Sequence, residues 1–271
     1  MHDYLKISNV SKKDLIAQLE ERKYPLQNIK LLASFRSAGK AVDYLGKTLI
    51  VEETNNNSFH GVDVVFISAS TELSLKYAPI AVSKGSLVID DSNAFRMDKK
   101  VPLVVPEVNA EDISIHKGII SIPNCTTTPL VMVVYALEKI AEVKRLIVST
   151  YQSVSGAGKS AIGELNVQSK NWLEEKEITN NVFPHQIAFS LIPQVDDFES
   201  DGYTKEEHKI INETRKILHK PDLRISATCV RVPVPVVHCE SINLELDKSV
   251  DSTSVYDAFD RMQGIKVLGR N

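Results

Sequence analysis

The sequence predicts an α/β protein, with a mainly parallel sheet over its first two-thirds and a separate α+β domain after it. Three observations support this reading. Short apolar strand-like runs alternate with amphipathic helical stretches through the first two-thirds, the pattern of strand–helix–strand units around a parallel sheet. In the last third a helix is followed by two strand-like runs with no helix between them. The 271 residues, 43% hydrophobic and 25% charged, have an ordinary globular composition and suffice for one large domain or two.

Taken in order, Ser11 and Asp14 read as a capping box opening a helix that places Leu15, Ile16 and Leu19 on one face. Strands are predicted at residues 29–33, 62–68, 86–90, 103–105 and 118–122. A helix over residues 72–83 lies between two of them, with Gly85 as its C-terminal stop. A strongly apolar helix is predicted at 129–143, with Pro129 where a first helical turn tolerates it. A strand rich in β-branched residues follows at 145–154, then a polar stretch near 166–181, a helix at 205–218 and strands at 224–232 and 240–246. Another strand-like run, 265–268, precedes the last residues, so the second domain reads as unfinished.

The bulk properties exclude several function classes. A formal charge of −3 argues against a nucleic-acid binder with a broad basic face. No apolar run reaches the roughly 18 residues that cross a bilayer, and the opening Met-His-Asp-Tyr-Leu-Lys lacks the basic-then-apolar pattern of a secretion signal. The three cysteines, Cys125, Cys229 and Cys239, have no metal-type spacing and suggest neither a metal site nor a disulfide scaffold. A reducing cytoplasm is the expected compartment.

Five constellations could carry chemistry. Cys125, in Ile122-Pro123-Asn124-Cys125-Thr126-Thr127-Thr128, precedes an apolar helix. Backbone N–H groups at a helix N-terminus favour a thiolate, which can attack a carbonyl or acyl phosphate. The alternative is a small buried hydrophobe. Arg231 and His238 lie seven residues apart and would face opposite ways in an unbroken strand, but Pro233 and Pro235 interrupt the ladder and allow a bend. An arginine fork there would hold a carboxylate and a histidine would shuttle a proton. An exposed arginine and a core histidine are the alternative. Ser153-Val154-Ser155-Gly156-Ala157-Gly158 follows a strand, and its glycines admit either close backbone approach to a ligand or an ordinary loop. Arg36-Ser37-Ala38-Gly39-Lys40 follows the second strand, where a dinucleotide fold reads the adenosine ribose; a solvated turn is equally open. Glu206 and Lys209, one helical turn apart, share a face and either hold one substrate or form a surface salt bridge.

Six motifs in order resemble the aspartate-semialdehyde dehydrogenase family in its bacterial form, over roughly Leu15 to the last residue. They are Leu32-Ala33-Ser34-Phe35-Arg36-Ser37-Ala38-Gly39-Lys40, Val104-Val105-Pro106-Glu107-Val108-Asn109, Pro123-Asn124-Cys125, Ser149-Thr150-Tyr151-Gln152-Ser153-Val154-Ser155-Gly156-Ala157-Gly158, Asp201-Gly202-Tyr203-Thr204-Lys205-Glu206-Glu207 and Ala227-Thr228-Cys229-Val230-Arg231-Val232-Pro233. The resemblance implies a Rossmann-like NADP-binding domain over residues 1–124 and a catalytic and dimerisation domain over 125–271, incomplete at its end. It also implies NADP(H) as cofactor, a small-molecule substrate, a homodimer, and no nucleic-acid or membrane partner. The implied activity is reversible reductive dephosphorylation of aspartyl-β-phosphate to aspartate-β-semialdehyde. That step belongs to lysine (diaminopimelate), threonine and methionine biosynthesis. Cys125 would form the thioester, His238, in His238-Cys239-Glu240-Ser241 where the family has His-Ser-Glu-Ser, would be the acid/base, and Gln152 would orient the thioacyl group. Arg231 would bind the substrate carboxylate and Glu206 its amino group. Arg96 and Lys209, with Asn124 beside them, would bind phosphate. Arg36 and Ser37 would meet the 2′-phosphate of the cofactor, and Ser155 and Gly156 another part of it.

The chain also departs from the family. The Gly-x-x-Gly-x-x-Gly that lets a pyrophosphate approach a helix N-terminus is replaced by Lys6-Ile7-Ser8-Asn9-Val10-Ser11-Lys12, with no glycine. The family's Ser-Ala-Gly is Ser68-Ala69-Ser70 and its Asp-Asn-Ser is Asp90-Asp91-Ser92. An Asn-Leu-x-Lys-Gly-Ala segment that returns to the cofactor does not occur. The expectation is therefore near-complete substrate groups and a weakened cofactor site, with an inactive fragment of the family as one alternative. An N-acetyl-glutamyl-phosphate reductase is a further alternative, which the Glu206 and Lys209 pair argues against.

Overall fold

A computed structural model describes residues 5–7 and 12–269, and the chain divides into two compact units, Met1–Pro123 and Asn124–Asn271. In the first unit, β1 (Leu5–Ile7), β2 (Ile29–Ala33), β5 (Glu52–Glu53), β6 (Val64–Ile67), β7 (Leu87–Asp90) and β8 (Ile119–Ser121) form one sheet in the order β5-β2-β1-β6-β7-β8. Every pairing in it is parallel. β1 has β2 on one side and β6 on the other, so the strand order reverses there, the point at which doubly wound sheets open a crevice for a ligand.

α1 (Lys12–Glu21) buries Ile16 and Leu19 against Leu31 and Val64 of this sheet, as the periodicity predicted. Ser11 of the expected capping box, and residues 8–11 of the glycine-free stretch, lie outside the described residues. α2 (Thr71–Ser83) starts at Ser70, whose side chain caps Leu73 N–H, and ends before Gly85, whose φ of +91° suits glycine alone. Gly118, at φ +94° ahead of β8, packs on α2 so closely that a Cβ would lie 2.6 Å from Val82 Cγ1.

Two parts of this unit differ from expectation. β3 (Ala41–Tyr44) and β4 (Lys47–Ile50) form an antiparallel hairpin that the periodicity did not reveal. Its two-residue turn, Leu45-Gly46, takes φ +46° and +73°, the mirror-image turn that matches strand twist. Residues 103–105 are not a strand: Leu103 makes a single parallel bridge to Ser121, and α3 (Pro106–Asn109) begins at once. Pro102 and Pro106 flank the run and remove two ladder donors, so it cannot extend.

The second unit opens with α4 (Thr127–Glu138), which starts earlier and stops sooner than the predicted 129–143. Val143 instead begins β9 (Val143–Gln152), the centre of a three-stranded sheet. β9 pairs in parallel with β10 (Arg224–Arg231) and antiparallel with β11 (Cys239–Leu246). The inner face of the sheet, including Leu146, Val148, Ala227 and Cys229, packs with Leu130 and Val134 of α4 and Ile210 and Ile211 of α6 (Lys205–Ile217). α6 opens with a complete Thr204–Glu207 capping box, and Glu207 also accepts the Cys229 N–H at 2.9 Å, which satisfies one donor on the free edge of β10.

The polar stretch near 166–181 is also corrected, because α5 (Lys159–Leu173) fills its first half. Its buried positions are Ala161, Glu164, Leu165 and Gln168, so half of the inward face is polar and an apolar period is invisible. α7 (Ser252–Asp260), capped by Asp251, was not anticipated, and residues 265–268 have no regular structure. None of the described residues belongs to a helix long and apolar enough to cross a membrane.

The inner face of the sheet carries one unusual group. Glu240 of β11 lies opposite Thr150, and both its carboxylate oxygens are buried without a hydrogen-bond partner among the described residues. Burial pushes its pKa from 4.5 up to about 8. A carboxyl raised on folding contributes stability that is full below pH 4.5 and is lost as pH rises through about 8. Glu240→Gln should therefore leave the thermal midpoint near pH 5 almost unchanged and raise it at pH 9 by several degrees, roughly 2–4 °C per kcal/mol recovered. Identical pH dependence of the two proteins in scanning calorimetry would show that this carboxyl is solvated.

Candidate active site

The nucleophile loop is built on Asn124. Its Oδ1 accepts the Thr126 backbone N–H at 2.9 Å and the Thr126 hydroxyl at 2.7 Å, and lies 3.6 Å from Cys125 Sγ. Its own N–H donates to the buried Glu213 carboxylate at 2.7 Å. These bonds hold Cys125, which is exposed, one residue ahead of Thr126, the N-cap of α4. The oriented peptide N–H groups of that helix start favour negative charge on the sulfur. Cys229 shows the opposite environment: burial pushes its thiol up to about 12.

Glu206, at the start of α6, gathers the polar groups around this loop. Its Oε1 accepts from Asn124 Nδ2 at 3.0 Å and from Gln152 Nε2 at 2.9 Å, while Oε2 pairs with Lys209 at 3.0 Å. Burial pushes the carboxyl up, but the Lys209 charge and these three hydrogen bonds outweigh it and hold Glu206 below the usual carboxylate range. Lys209 is itself shared, with Asp196 at 2.8 Å on its other side. Burial works against its charge and both carboxylates restore it, leaving its pKa raised. The pair is thus not the exposed surface bridge that spacing alone allowed.

Sheet register brings in the remaining groups. Arg231 is paired directly with Gln152 on β9. The register that sets Glu240 opposite Thr150 carries His238, two residues earlier, toward the level of Gln152. Arg231 and His238 are therefore not on one strand: β10 ends at Arg231, residues 232–238 form a loop, and β11 begins at Cys239. The loop is tied down by Val154 N–H to Val234 O at 2.9 Å and Ser155 N–H to Pro235 O at 3.2 Å. Within it, just before His238, Val237 has φ +78°, a conformation that a β-branched residue takes only under constraint.

Gly156 occupies a short 3-10 turn, Val154–Ala157, directly beside both side chains. A Cβ on it would lie 3.1 Å from Arg231 Nη1, a tight contact that the guanidinium would have to ease by a few tenths of an ångström, and 3.6 Å from His238 Cε1, an ordinary contact. Arg231 is buried, which lowers its pKa, with the charges of Glu206 and then Cys125 acting in the opposite direction. Its Nη1 donates to Ser153 O at 2.7 Å, and Phe183 lies 5.9 Å from the guanidinium. His238, half-buried, has its pKa lowered by burial and then by Arg231, with Glu206 opposing.

The second unit thus brings Asn124, Cys125, Gln152, Glu206, Lys209, Arg231, His238, Ser155 and Gly156 into one neighbourhood. Arg36, Ser37 and Arg96 belong to the first unit. Arg36, exposed, and Ser37, half-buried, lie in the turn at the C-terminal end of β2, where Ser37 N–H donates to Ser34 O at 2.9 Å. Arg96 is buried and donates from Nη2 to Asp91 O at 2.8 Å, with the Asp91 carboxylate at 3.9 Å. Burial raises the Asp91 carboxyl against the pull of Arg96. Sequence reasoning missed Ser153, Glu213 and Asp196. The Ser153 signal was its place in the Ser153–Gly158 turn, but the other two have only a helix position or a loop position and no pattern.

Two family profiles match the chain: "Semialdehyde dehydrogenase, NAD binding domain" over residues 11–116 and "Semialdehyde dehydrogenase, dimerisation domain" over residues 135–271. Fold and site therefore define a semialdehyde dehydrogenase, an oxidoreductase with a nucleotide-binding domain and a thiol in its second unit. Among curated relatives, the aspartate-semialdehyde dehydrogenase of Aquifex aeolicus is 46% identical over 92% of this chain and 75% of its own length. That of Bacillus subtilis is 45% identical over 90% of this chain and 72% of its own length. The crystal structure of aspartate semialdehyde dehydrogenase II from Vibrio cholerae, complexed with ASA, superposes with a TM-score of 0.96 at 38% identity, covering all of this chain and 82% of that one. The chain belongs to the aspartate-semialdehyde dehydrogenase family.

The contrast among the thiols is directly measurable. Under limiting iodoacetamide near neutral pH, Cys125 should be alkylated faster than Cys229 or Cys239, as read by peptide mass spectrometry. Equal labelling of the three would remove Cys125 from the role its loop suggests.

Proposed function

We propose that this chain catalyses the reversible, NADPH-dependent reductive dephosphorylation of aspartyl-β-phosphate to aspartate-β-semialdehyde, through a thioester on Cys125. The observation that carries it is the convergence of Glu206, Arg231 and Gln152 beside an exposed thiol at a helix start. The Cys125 thiolate attacks the acyl carbon, and the C–O bond to phosphate breaks with the electron pair leaving on phosphate. Asn124 and Gln152, both anchored on Glu206, border the acyl group as it forms. Arg231 receives the substrate α-carboxylate in a bidentate fork, and Glu206, held ionised, receives the amino group. Lys209 neutralises phosphate, and His238 supplies or takes the proton at the reacting oxygen.

The residues of the first unit fit a nicotinamide dinucleotide at the point where the strand order reverses. Arg36 and Ser37, in the turn after β2, would meet the 2′-phosphate, which suits NADP(H). When bound, the nicotinamide supplies the hydride that reduces the thioester and frees the thiolate. The outer face of the β10-β9-β11 sheet leaves Ile147 and Tyr151 exposed. That surface and the dimerisation-domain match over 135–271 support a homodimer. The expected setting is the cytoplasm, and the product would serve lysine, threonine and methionine biosynthesis.

Phosphate-dependent reduction of NADP+ by aspartate-β-semialdehyde, followed by absorbance, tests the reading. Wild-type protein should turn over and Cys125→Ser should not, because a serine without a strong base is a far weaker nucleophile. Arg231→Lys should raise KM for the semialdehyde by roughly tenfold or more, because a point charge cannot replace the fork. Turnover by Cys125→Ser at the wild-type rate would overturn the proposal.

The missing glycines bear on the cofactor separately. The sequence Lys6–Lys12 has no glycine where the family's Gly-x-x-Gly-x-x-Gly lets a pyrophosphate approach, and one lysine cannot replace several backbone N–H donors. Calorimetric titration should therefore give NADPH binding weaker than micromolar. Tight binding would show that the 2′-phosphate contacts suffice alone.

A further inference from the structure

Ser153 makes every polar contact its position allows. It is fully buried, and its C=O accepts from Arg231 Nη1 at 2.7 Å. Its backbone N–H donates to His238 Nδ1 at 3.0 Å, and its hydroxyl lies 3.0 Å from the same Nδ1 and 2.9 Å from Ser155 Oγ. A backbone N–H can only donate, so Nδ1 of the neutral ring must be an acceptor, and the ring proton must sit on Nε2. When the ring becomes charged, Nδ1 acquires a proton that cannot point at another N–H. It can point at the Ser153 hydroxyl, provided that hydroxyl turns its own proton away, and Ser155 Oγ is placed to receive it.

We infer that Ser153 is the positioning residue that governs how His238 carries its protons: its N–H fixes the Nε2–H tautomer of the neutral ring, and its hydroxyl, by turning toward Ser155, becomes the acceptor that lets the ring take a second proton. The inference rests on His238 being the acid/base of the proposed reaction, yet it concerns the ring itself and can be read without substrate or cofactor. The other charged groups acting on the ring are Arg231 from β10, which disfavours its charge, and Glu206 from α6, which favours it. Neither is hydrogen-bonded to Nδ1; the Val237 backbone also favours the charged ring through a hydrogen bond, so the Ser153 hydroxyl, 3.0 Å from Nδ1, is the side-chain acceptor among the groups that support the second proton. The Nε2 edge lies beside Gly156, where a Cβ would meet it at 3.7 Å, an ordinary van der Waals contact.

The test is a pH titration of the histidine 15N and 13C NMR signals in the full chain, with His238→Asn to assign the resonance. Wild-type His238 should show the Nε2–H pattern when neutral. Ser153→Ala keeps both backbone contacts and loses only the hydroxyl. Because a hydrogen bond to a charged group is lost, the His238 pKa should fall by about one unit, tenfold in the charged-to-neutral ratio. Ser153→Thr should restore the wild-type titration, and Ser155→Ala should lower it by a smaller step. A merely structural serine would change stability without moving this titration. An Nδ1–H pattern in the wild type, or an unchanged pKa in Ser153→Ala, overturns the inference. If Ser153→Ala does not fold, Ser155→Ala decides: a fall supports the relay, and no change overturns it. Loss of turnover in the wild type, with these shifts intact, would instead count against the proposed reaction.

Discussion

The second unit depends on one constraint, the register of β9 between its two neighbours. Among the described residues β9 is the only strand paired with both β10 and β11, so its alternation decides which side chains of all three strands share a face. With Arg231 opposite Gln152 and Glu240 opposite Thr150, one row holds the arginine and the amide, and the row beneath holds Cys229, Thr150 and Glu240. A slip of one residue would send Gln152 to the outer face and Tyr151 inward, and would separate Arg231 from Ser153. The site is thus specified by the same apolar alternation, Leu146 and Val148 inward, that builds the core.

The second determinant is a buried charge. Glu206 is 6% exposed, and an isolated carboxylate in such a place would take up a proton instead of staying ionised. Two amide donors and a lysine prevent this, and the cost is that Asn124, Gln152 and Lys209 are each committed to it. Removing one partner of a buried pair commonly costs about 3–5 kcal/mol, because the other charge is left uncompensated. That cost is also the reason the carboxylate is useful. Under the proposed assignment, a substrate ammonium arriving at Glu206 would meet an ionised acceptor already held in place.

Much of this could be read in the sequence, and the gaps have physical causes. Wherever burial is apolar, the periods of 2 and 3.6 are visible: β2, β6, β7, α2, α6, β10 and β11 fall close to their predicted places. Where the inward face is polar they are not. α5 turns Glu164 and Gln168 inward, and the β3–β4 hairpin depends on two positive φ angles that only its Gly46 hinted at. The site residues stood out as chemistry-bearing types in ordered motifs. What no motif could supply was the wiring: that Glu206 joins Asn124 to Gln152, that Lys209 is shared with Asp196, and that Ser153 holds both Arg231 and His238. Those links join positions 13 to 85 residues apart, and only the folded sheet and helix set their distances.

The polar face of α5 shows why such residues are buried at all. Glu164 accepts the backbone N–H groups of Asn181, Val182 and Phe183, and Gln168 accepts those of Ile187 and Ala188. Five loop donors that no strand or helix could satisfy are thereby paired, which matters because an unpaired buried N–H costs about 1–3 kcal/mol. An apolar helix face would have packed as well but would have left those donors unmatched. The loop so fastened carries Phe183 toward the Arg231 guanidinium, while the strained Val237 on the far side of the sheet turn aims His238. Both side chains are also held by the backbone of Ser153, Arg231 through its C=O and His238 through its N–H. Rigidity at the site comes from hydrogen bonds to main chain, which tolerate little displacement, and not from apolar packing, which tolerates more.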